Sequence, residues 1–197
     1  MSVLPSETSV PPSATATRRL GLYDTWWTVG AGALAACLGI AACAWVSLHL
    51  HADAALHSAA LFVHLAALVL GFGAVLVADY YALLFLTGRC GLRDALITTG
   101  RLHALIWAGL VGLVASGALL HPDLGSVLTR VKLGLVLALT LNGLQAGVLN
   151  RRMRGETGTP LGTPLTGRLL AWGAGTALVS QVCWWGAVLI GFRNSQR

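Results

Sequence analysis

Five long runs of apolar residues constrain this sequence more than any other feature. A helix needs about 20 mostly apolar residues to cross hydrocarbon about 30 Å thick, because each residue adds about 1.5 Å. These runs are continuous and rich in Ala, Leu, Gly and Val, which indicates helices rather than the alternating strands of a barrel. The sequence therefore predicts an all-α, multi-pass membrane protein. Its five transmembrane helices are expected at about residues 26–50, 59–86, 102–120, 127–149 and 169–192.

Charged side chains are scarce and lie mostly outside these runs. Asp, Glu, Lys and Arg make up 10% of the chain, whereas an average soluble domain has about 25%. So few charges cannot cover a globular surface, which excludes an ordinary soluble enzyme and a disordered protein. The net charge of +6 does not indicate nucleic acid as a partner, because the basic residues lie in connecting segments. We expect the lipid bilayer as the main partner and leave open a second copy or another membrane protein.

The positions of Lys and Arg predict the orientation in the membrane. Nine precede the first run or lie between the second and third and the fourth and fifth, and four lie on the opposite side. Because basic residues concentrate in cytoplasmic loops, we expect a cytoplasmic N-terminus and an outer C-terminus in a plasma membrane, the inner membrane of a bacterium. The chain then divides into a disordered cytoplasmic tail (1–25), a five-helix domain (26–192) and a short C-terminal tail (193–197).

Five of the six histidines lie at or near the predicted outer side. Imidazole is a ligand that suits copper and zinc, and a carboxylate such as Asp53 can complete such a site. The spacing of these histidines matches no fixed metal signature, and histidines at loop ends also tolerate a membrane interface. We take these residues as candidate metal ligands: His49, His51, His57, His64 and His121.

Two ionisable residues stand within the predicted outer half of the helices, and glycines lie near one of them. His64 shares a helix face with His57 and Gly71, since the three recur every seven residues. Gly71 and Gly73 leave room for a neighbouring helix, which we favour, or for a flat macrocycle. Lys132 lies at a similar depth in the fourth run, where it either meets His64 or extends to the interface. These four residues are our candidate cofactor site: His64, Lys132, Gly71 and Gly73.

The predicted inner half carries a second polar group. Asp79 lies near the inner end of the second run, and Asn142 and Gln145 lie at similar depth in the fourth. An intramembrane carboxylate should face the bundle interior, so we expect Asp79 to be held by these amides or by His103 or Arg101. A polar clamp between helices is the interpretation we favour.

Two further pairs of small residues predict close helix packing rather than binding. They are Gly112 with Ser116, and Gly143 with Gly147, each separated by three residues. Such spacing lets two helix backbones approach each other in a membrane.

Three stretches taken together resemble a known membrane family. They are HLAALVLGFG (64–73), RLHALIWAGLVGLVASGALL (101–120) and RVKLGLVLALTLNG (130–143). This order is similar to the copper-resistance-D-like membrane domain and, more distantly, to HemJ-type protoporphyrinogen oxidases. Val69 and Leu70 stand where that pattern has a tryptophan before the glycine pair. The matching positions are His64, Gly71, Gly73, Ser116, Gly117, Lys132 and Leu133.

The resemblance and the histidines leave three functions open. Copper-resistance proteins are implicated in copper transport, which implies metal binding at the outer rim and then at His64. The haem-handling relatives imply a haem b protein for electron transfer or porphyrin oxidation, with His64 as axial ligand and Lys132, His57 or His121 as the second. A non-catalytic subunit or scaffold is the third. The cofactor expectation is accordingly copper or haem b, and the sequence leaves enzymatic activity open.

Overall fold

The described part of the chain is almost entirely helical. A computed structural model describes residues 22–50, 53–156, 167–194 and 196. Within these residues no strand is present, which confirms the all-α prediction. The five helices are α1 (Leu22–His49), α2 (Ala54–Leu86), α3 (Leu92–Leu119), α4 (Val127–Glu156) and α5 (Gly167–Asn194).

All five helices extend beyond their predicted apolar runs, and three of them do so by five residues or more. Helix α2 begins at Ala54 because the Asp53 side chain accepts a hydrogen bond from the Leu56 backbone N–H at 2.7 Å and caps the helix. Helix α3 begins at Leu92 instead of about residue 102, and α4 continues to Glu156. The added turns of α3 and α4 are rich in polar residues, so hydropathy misses them, although a helix satisfies its own backbone hydrogen bonds outside the bilayer as well. Helix α1 begins at Leu22, and the rest of the predicted tail, residues 1–21, lies outside the described residues.

Helices α2 and α3 form the closest pair in the bundle. They cross at Gly71 and Gly109, and a methyl group on Gly109 would overlap the Gly71 backbone and lie 2.8 Å from the Ala67 carbonyl oxygen. One step further along α3, a methyl group on Gly112 would lie 2.9 Å from Cβ of Ala67. The close packing of α2 and α3 therefore requires glycine at these positions, as the small-residue spacing at Gly112 predicted.

The buried core joins this pair to α4 and α5. Trp184 of α5 is 2% exposed and stacks on Phe72 of α2, with ring centroids 5.5 Å apart. Large aromatic side chains remove much apolar surface from their surroundings and fill the space between several helices. The fully buried members of this cluster are Val75, Leu110, Leu139, Cys183 and Trp184.

Apolar side chains also cover the outside of the bundle. Val69 leaves 75% of its surface exposed and Phe62 leaves 74%, which a water-soluble protein of this size would not tolerate along whole helices. All five helices are long and apolar enough to cross a membrane. The chain is thus a multi-pass membrane protein. We call the end with the α1–α2 and α3–α4 connections the outer end and the opposite end the inner end, following the predicted orientation.

Candidate functional site

The outer half of the α2–α3 interface fixes the orientation of His64. Its Nδ1 lies 3.0 Å from Oγ of Ser116, a buried residue on α3. The Ser116 hydroxyl has one proton, which it donates to the Gly112 carbonyl at 2.5 Å. Ser116 must therefore accept from His64, so Nδ1 carries the imidazole proton and Nε2 carries the lone pair of a neutral ring. A hydrogen bond that fixes the tautomer of the imidazole in this way is typical of histidines that bind metal.

Lys132 of α4 lies near this imidazole, which is one of the two arrangements that the sequence left open. Its ammonium group is close enough to repel a protonated His64 electrostatically, although no hydrogen bond joins the two side chains. The Lys132 side chain extends toward α5, where Nζ lies 3.5 Å from the position a Cβ would take on Gly191. The glycine therefore makes room for a cation between α4 and α5 at the depth of His64.

His57 and His121 lie next to each other at the outer end. Their ring centroids are 6.4 Å apart and the ring planes differ by 19°. His121 Nε2 donates to the Leu50 carbonyl at 2.9 Å, since a carbonyl can only accept. His121 has a φ of 48°, a left-handed conformation that is uncommon outside glycine. Two imidazoles from distant parts of the sequence are thus brought together over the α2–α3 pair.

His49 does not join that pair. His49 stacks on Trp45 of its own helix with ring centroids 4.4 Å apart, and its Nδ1 donates to the Trp45 carbonyl at 2.8 Å. His51 lies outside the described residues. Among the residues that the structure describes, no three His, Cys, Asp or Glu side chains are close enough together to hold one metal ion.

The two glycines of the candidate cofactor site have different surroundings. A Cβ on Gly71 would lie 3.1 Å from the Gly109 Cα and 3.3 Å from the Trp184 ring, so helix packing fills that space. A Cβ on Gly73 would meet nothing within 4 Å among the described residues. Gly117 of α3 lies against His64 instead, because a Cβ there would be 3.5 Å from the imidazole Cε1.

The partner of Asp79 differs from the expectation. The Gln181 side chain of α5 donates to the Asp79 carboxylate, and the Trp185 indole donates to Gln181 at 3.0 Å. The amide of Asn142 instead donates to the Thr176 carbonyl of α5. Helix α4 packs mainly on α1, α3 and α5, which keeps its amides away from Asp79. The sequence analysis missed Gln181, although a glutamine within an apolar helix could have indicated such a contact.

The other inner polar residues turn toward α4. Gln145 donates to Asn142 at 2.9 Å within that helix. His103 faces α4, where it interacts with the Gly143 backbone and lies 3.4 Å from the position a Cβ would take on Gly147. The Gly143 and Gly147 pair predicted as a packing surface therefore contacts α3 through His103 and Trp107.

Comparison with protein-family models, with curated proteins and with solved structures gives no match to this chain. The chemistry of the site therefore has to follow from its own residues. Those residues offer imidazole nitrogens at the outer end and a carboxylate, amides and an imidazole at the inner end.

Proposed function

We propose that this membrane protein binds a transition metal at its outer end, with copper as the favoured ion and His64 as a ligand. One observation carries the proposal. The bond from His64 Nδ1 to Ser116, together with the bond from Ser116 to Gly112, leaves Nε2 as the nitrogen with the lone pair. A buried hydroxyl that holds an imidazole in this way raises its basicity and fixes its direction, which favours coordination.

The number of ligands favours copper over zinc. A structural zinc site needs four ligands, and no group of three suitable side chains exists within the described residues. His57 and His64 are separated by two helical turns, or about 10 Å along α2, too far for both to bind one ion. Each site therefore offers one or two imidazoles, an arrangement that Cu(I) accepts in a nearly linear geometry and that haem iron accepts axially.

The spacing of His57 and His121 supports a receiving site above His64. Two metal–nitrogen bonds of about 2 Å, to nitrogens about 1 Å from their ring centroids, place the centroids about 6 Å apart. The observed separation is 6.4 Å between nearly parallel rings, so binding of one ion between them requires each ring to turn a nitrogen toward the other. His49 and His51 belong to the same proposal as surface ligands at the end of α1, from which copper passes to His57, His121 and then His64.

Lys132 limits the charge that can be bound at His64 or pass beyond it. Its ammonium repels a cation at His64 as well as one that moves past it, because charges interact strongly in a medium of low dielectric constant, so the site favours Cu(I) with its single charge over Cu(II). No ladder of methionines continues the route, since Met1 and Met153 are the chain's two methionines. We therefore propose that copper is bound at the outer end and is not carried across by this chain alone.

A haem b site is the second candidate, and a different observation favours it. Lys132 places a positive charge near His64, and haem carries anionic propionates that such a charge would stabilise. Helix packing already occupies the space beside Gly71. Gly73 stands nine residues after His64 and therefore faces the opposite side of α2, so room for the macrocycle would have to come from movement of the helices that pack beside His64. In this case the residue tuning the haem potential is the axial His64.

The decisive experiment is to purify the full chain in detergent, measure its metal content and record its visible spectrum. We expect bound copper that is lost in His64→Ala and retained in His103→Ala, which removes a half-buried imidazole from the inner end. A Soret band that is present in the native protein and lost in His64→Ala would show that the bound group is haem and not copper. A colourless protein that binds no copper when copper is added would overturn both candidates and leave a scaffold.

A further inference from the structure

A pocket opens at the inner end, on the opposite side of the bundle from the histidine pair. It lies between the start of α1, the first half of α3 and the last turns of α4, and its volume is about 200 Å³. Neither the metal nor the haem proposal uses it. The residues that define its chemistry are Thr28, His103, Trp107, Gly143, Gly147 and Arg151.

The glycines of α4 form one wall of this pocket. A Cβ on Gly143 would lie 3.4 Å from the Trp107 ring, and one on Gly147 would lie 3.4 Å from His103 Nε2. The two rings also meet each other edge to face, with centroids 6.5 Å apart. The rings therefore rest directly on the α4 backbone, and the space beside them stays open toward α1.

The polar lining of the pocket is cationic. Arg151 lies close enough to His103 for the two to interact electrostatically. No residue in the described lining of the pocket is acidic. A guanidinium beside an imidazole attracts an anion, and guanidinium binds phosphate oxygens through paired hydrogen bonds.

The rest of the lining is apolar, which indicates an amphiphilic ligand. Val29 of α1 and Leu144 and Val148 of α4 line the same pocket. Its volume is below the range of about 300–1,000 Å³ that encloses whole small molecules, so it suits a single head group with the remaining atoms outside. Arg101, Arg152 and Arg154 stand at the same end of the bundle and add to its positive potential.

We propose that this pocket binds the phosphate group of an anionic phospholipid. Basic pockets between transmembrane helices on the cytoplasmic side bind such head groups, and the predicted orientation places this pocket on that side. Arg151 and His103 hold the phosphate, and the acyl chains lie along the exposed apolar surface of α1. This inference does not depend on what the outer end binds.

The test measures how much added lipid raises the thermal midpoint of the full chain in detergent. The probes are phosphatidylglycerol, phosphatidylcholine with the same acyl chains, and inorganic phosphate. We expect a saturable rise with phosphatidylglycerol, and Arg151→Gln should weaken its apparent affinity about tenfold, as expected for loss of a charge-assisted hydrogen-bonding pair. The matched control is Arg152→Gln, which removes an equal charge from the next residue, where the guanidinium stacks over Trp172 and not in the pocket.

Each other outcome would overturn the proposal. Equal stabilisation by phosphatidylcholine would show that the phosphate charge is not recognised specifically. Equal weakening in Arg151→Gln and Arg152→Gln would indicate general surface attraction. A rise with inorganic phosphate alone that depends on Arg151 would show that the ligand is a free anion. Gly147→Val provides a second variant, because its side chain reduces the space beside His103, and it should also abolish the response to phosphatidylglycerol if it folds.

Discussion

The two ends of the helix bundle arrange their polar side chains differently. At the outer end, imidazoles are oriented by neighbouring hydroxyl and carbonyl groups, as the Ser116 bond to His64 shows. At the inner end, Arg151 and His103 belong to a pocket whose described lining has no acidic residue. The first arrangement leaves an imidazole lone pair, which suits the proposed metal, and the second offers hydrogen-bond donors and positive charge, which suit the proposed anion.

The comparison teaches that depth and residue type alone do not identify a site. His64 and His103 are both half-buried imidazoles on facing helices. His64 has its proton committed to Ser116, whereas His103 lies against the α4 backbone near a guanidinium. The neighbours of each ring, and not its burial, determine whether it suits a cation or an anion.

The largest expected effect is a loss of stability from a substitution at the α2–α3 crossing, which lies between the two ends. Gly109→Ala places a methyl group against the Gly71 backbone and 2.8 Å from the Ala67 carbonyl oxygen. We expect a loss of about 1–3 kcal/mol or more in folding free energy, since α2 and α3 would have to separate. Denaturation in detergent measures this loss. Gly73→Ala is the matched control, with nothing within 4 Å of the added methyl, and equal stability of the two variants would contradict the tight crossing.

The next largest effect would sharpen the description of the outer end. Ser116→Ala removes the acceptor that fixes His64, and loss of such a partner typically lowers metal affinity about 10–100-fold. Titration with copper against a competing chelator measures the change. Ser58→Ala is the control, because Ser58 makes the same bond to the carbonyl four residues earlier, at 2.9 Å, without an imidazole. Unchanged copper affinity in Ser116→Ala would show that the tautomer is irrelevant.

A smaller effect concerns the carboxylate of the inner half. Gln181→Leu removes the donor to Asp79, and we expect a loss of about 0.6–1.7 kcal/mol, the range measured for hydrogen bonds between membrane helices. A double-mutant cycle with Asp79→Leu should show coupling of that size. Gln145→Leu provides the comparison, since Gln145 bonds within its own helix. Additive effects of Gln181→Leu and Asp79→Leu would rule out the contact.

The smallest effect tests the α4–α5 junction at the inner end. Arg152 lies 5.7 Å from the centroid of the Trp172 ring, and Arg152→Ala should cost about 0.5–1 kcal/mol, as for an exposed cation–π contact. Reversible unfolding measures this cost, and Arg152→Ala should cost much less in a protein that already carries Trp172→Leu. If Arg152→Ala lowers the free energy of unfolding by the same amount when Trp172 is already replaced by Leu, Arg152 acts through another group.

Hydropathy and charge predicted the number and class of the helices because the bilayer imposes a length on every span. They did not predict the start of α3 at Leu92 or the end of α4 at Glu156, since turns beyond the bilayer follow capping and local propensity instead. Which membrane the chain occupies, and its orientation there, remain predictions.

The candidate residues were recognisable as types, whereas their partners were not. His64 stood out because an ionisable side chain within a span needs a reason, and Ser116 was already part of the resemblance. The contact between Asp79 and Gln181 joins residues 102 positions apart, and helix periodicity does not say which helices are neighbours. The pocket at Arg151 was missed for the same reason, because it exists only where three helices meet.

The first helix of the chain has few interactions with the second. Helix α1 packs mainly on α3 and α4, and none of its most apolar window is buried. Because α1 precedes α3 and α4 in the chain, it is synthesised before both of the helices on which it packs. It must therefore remain in the lipid as an independent helix until α3 and α4 are in place, and the inner-end pocket, which Thr28 and Val29 of α1 help to line, forms only when α1 docks.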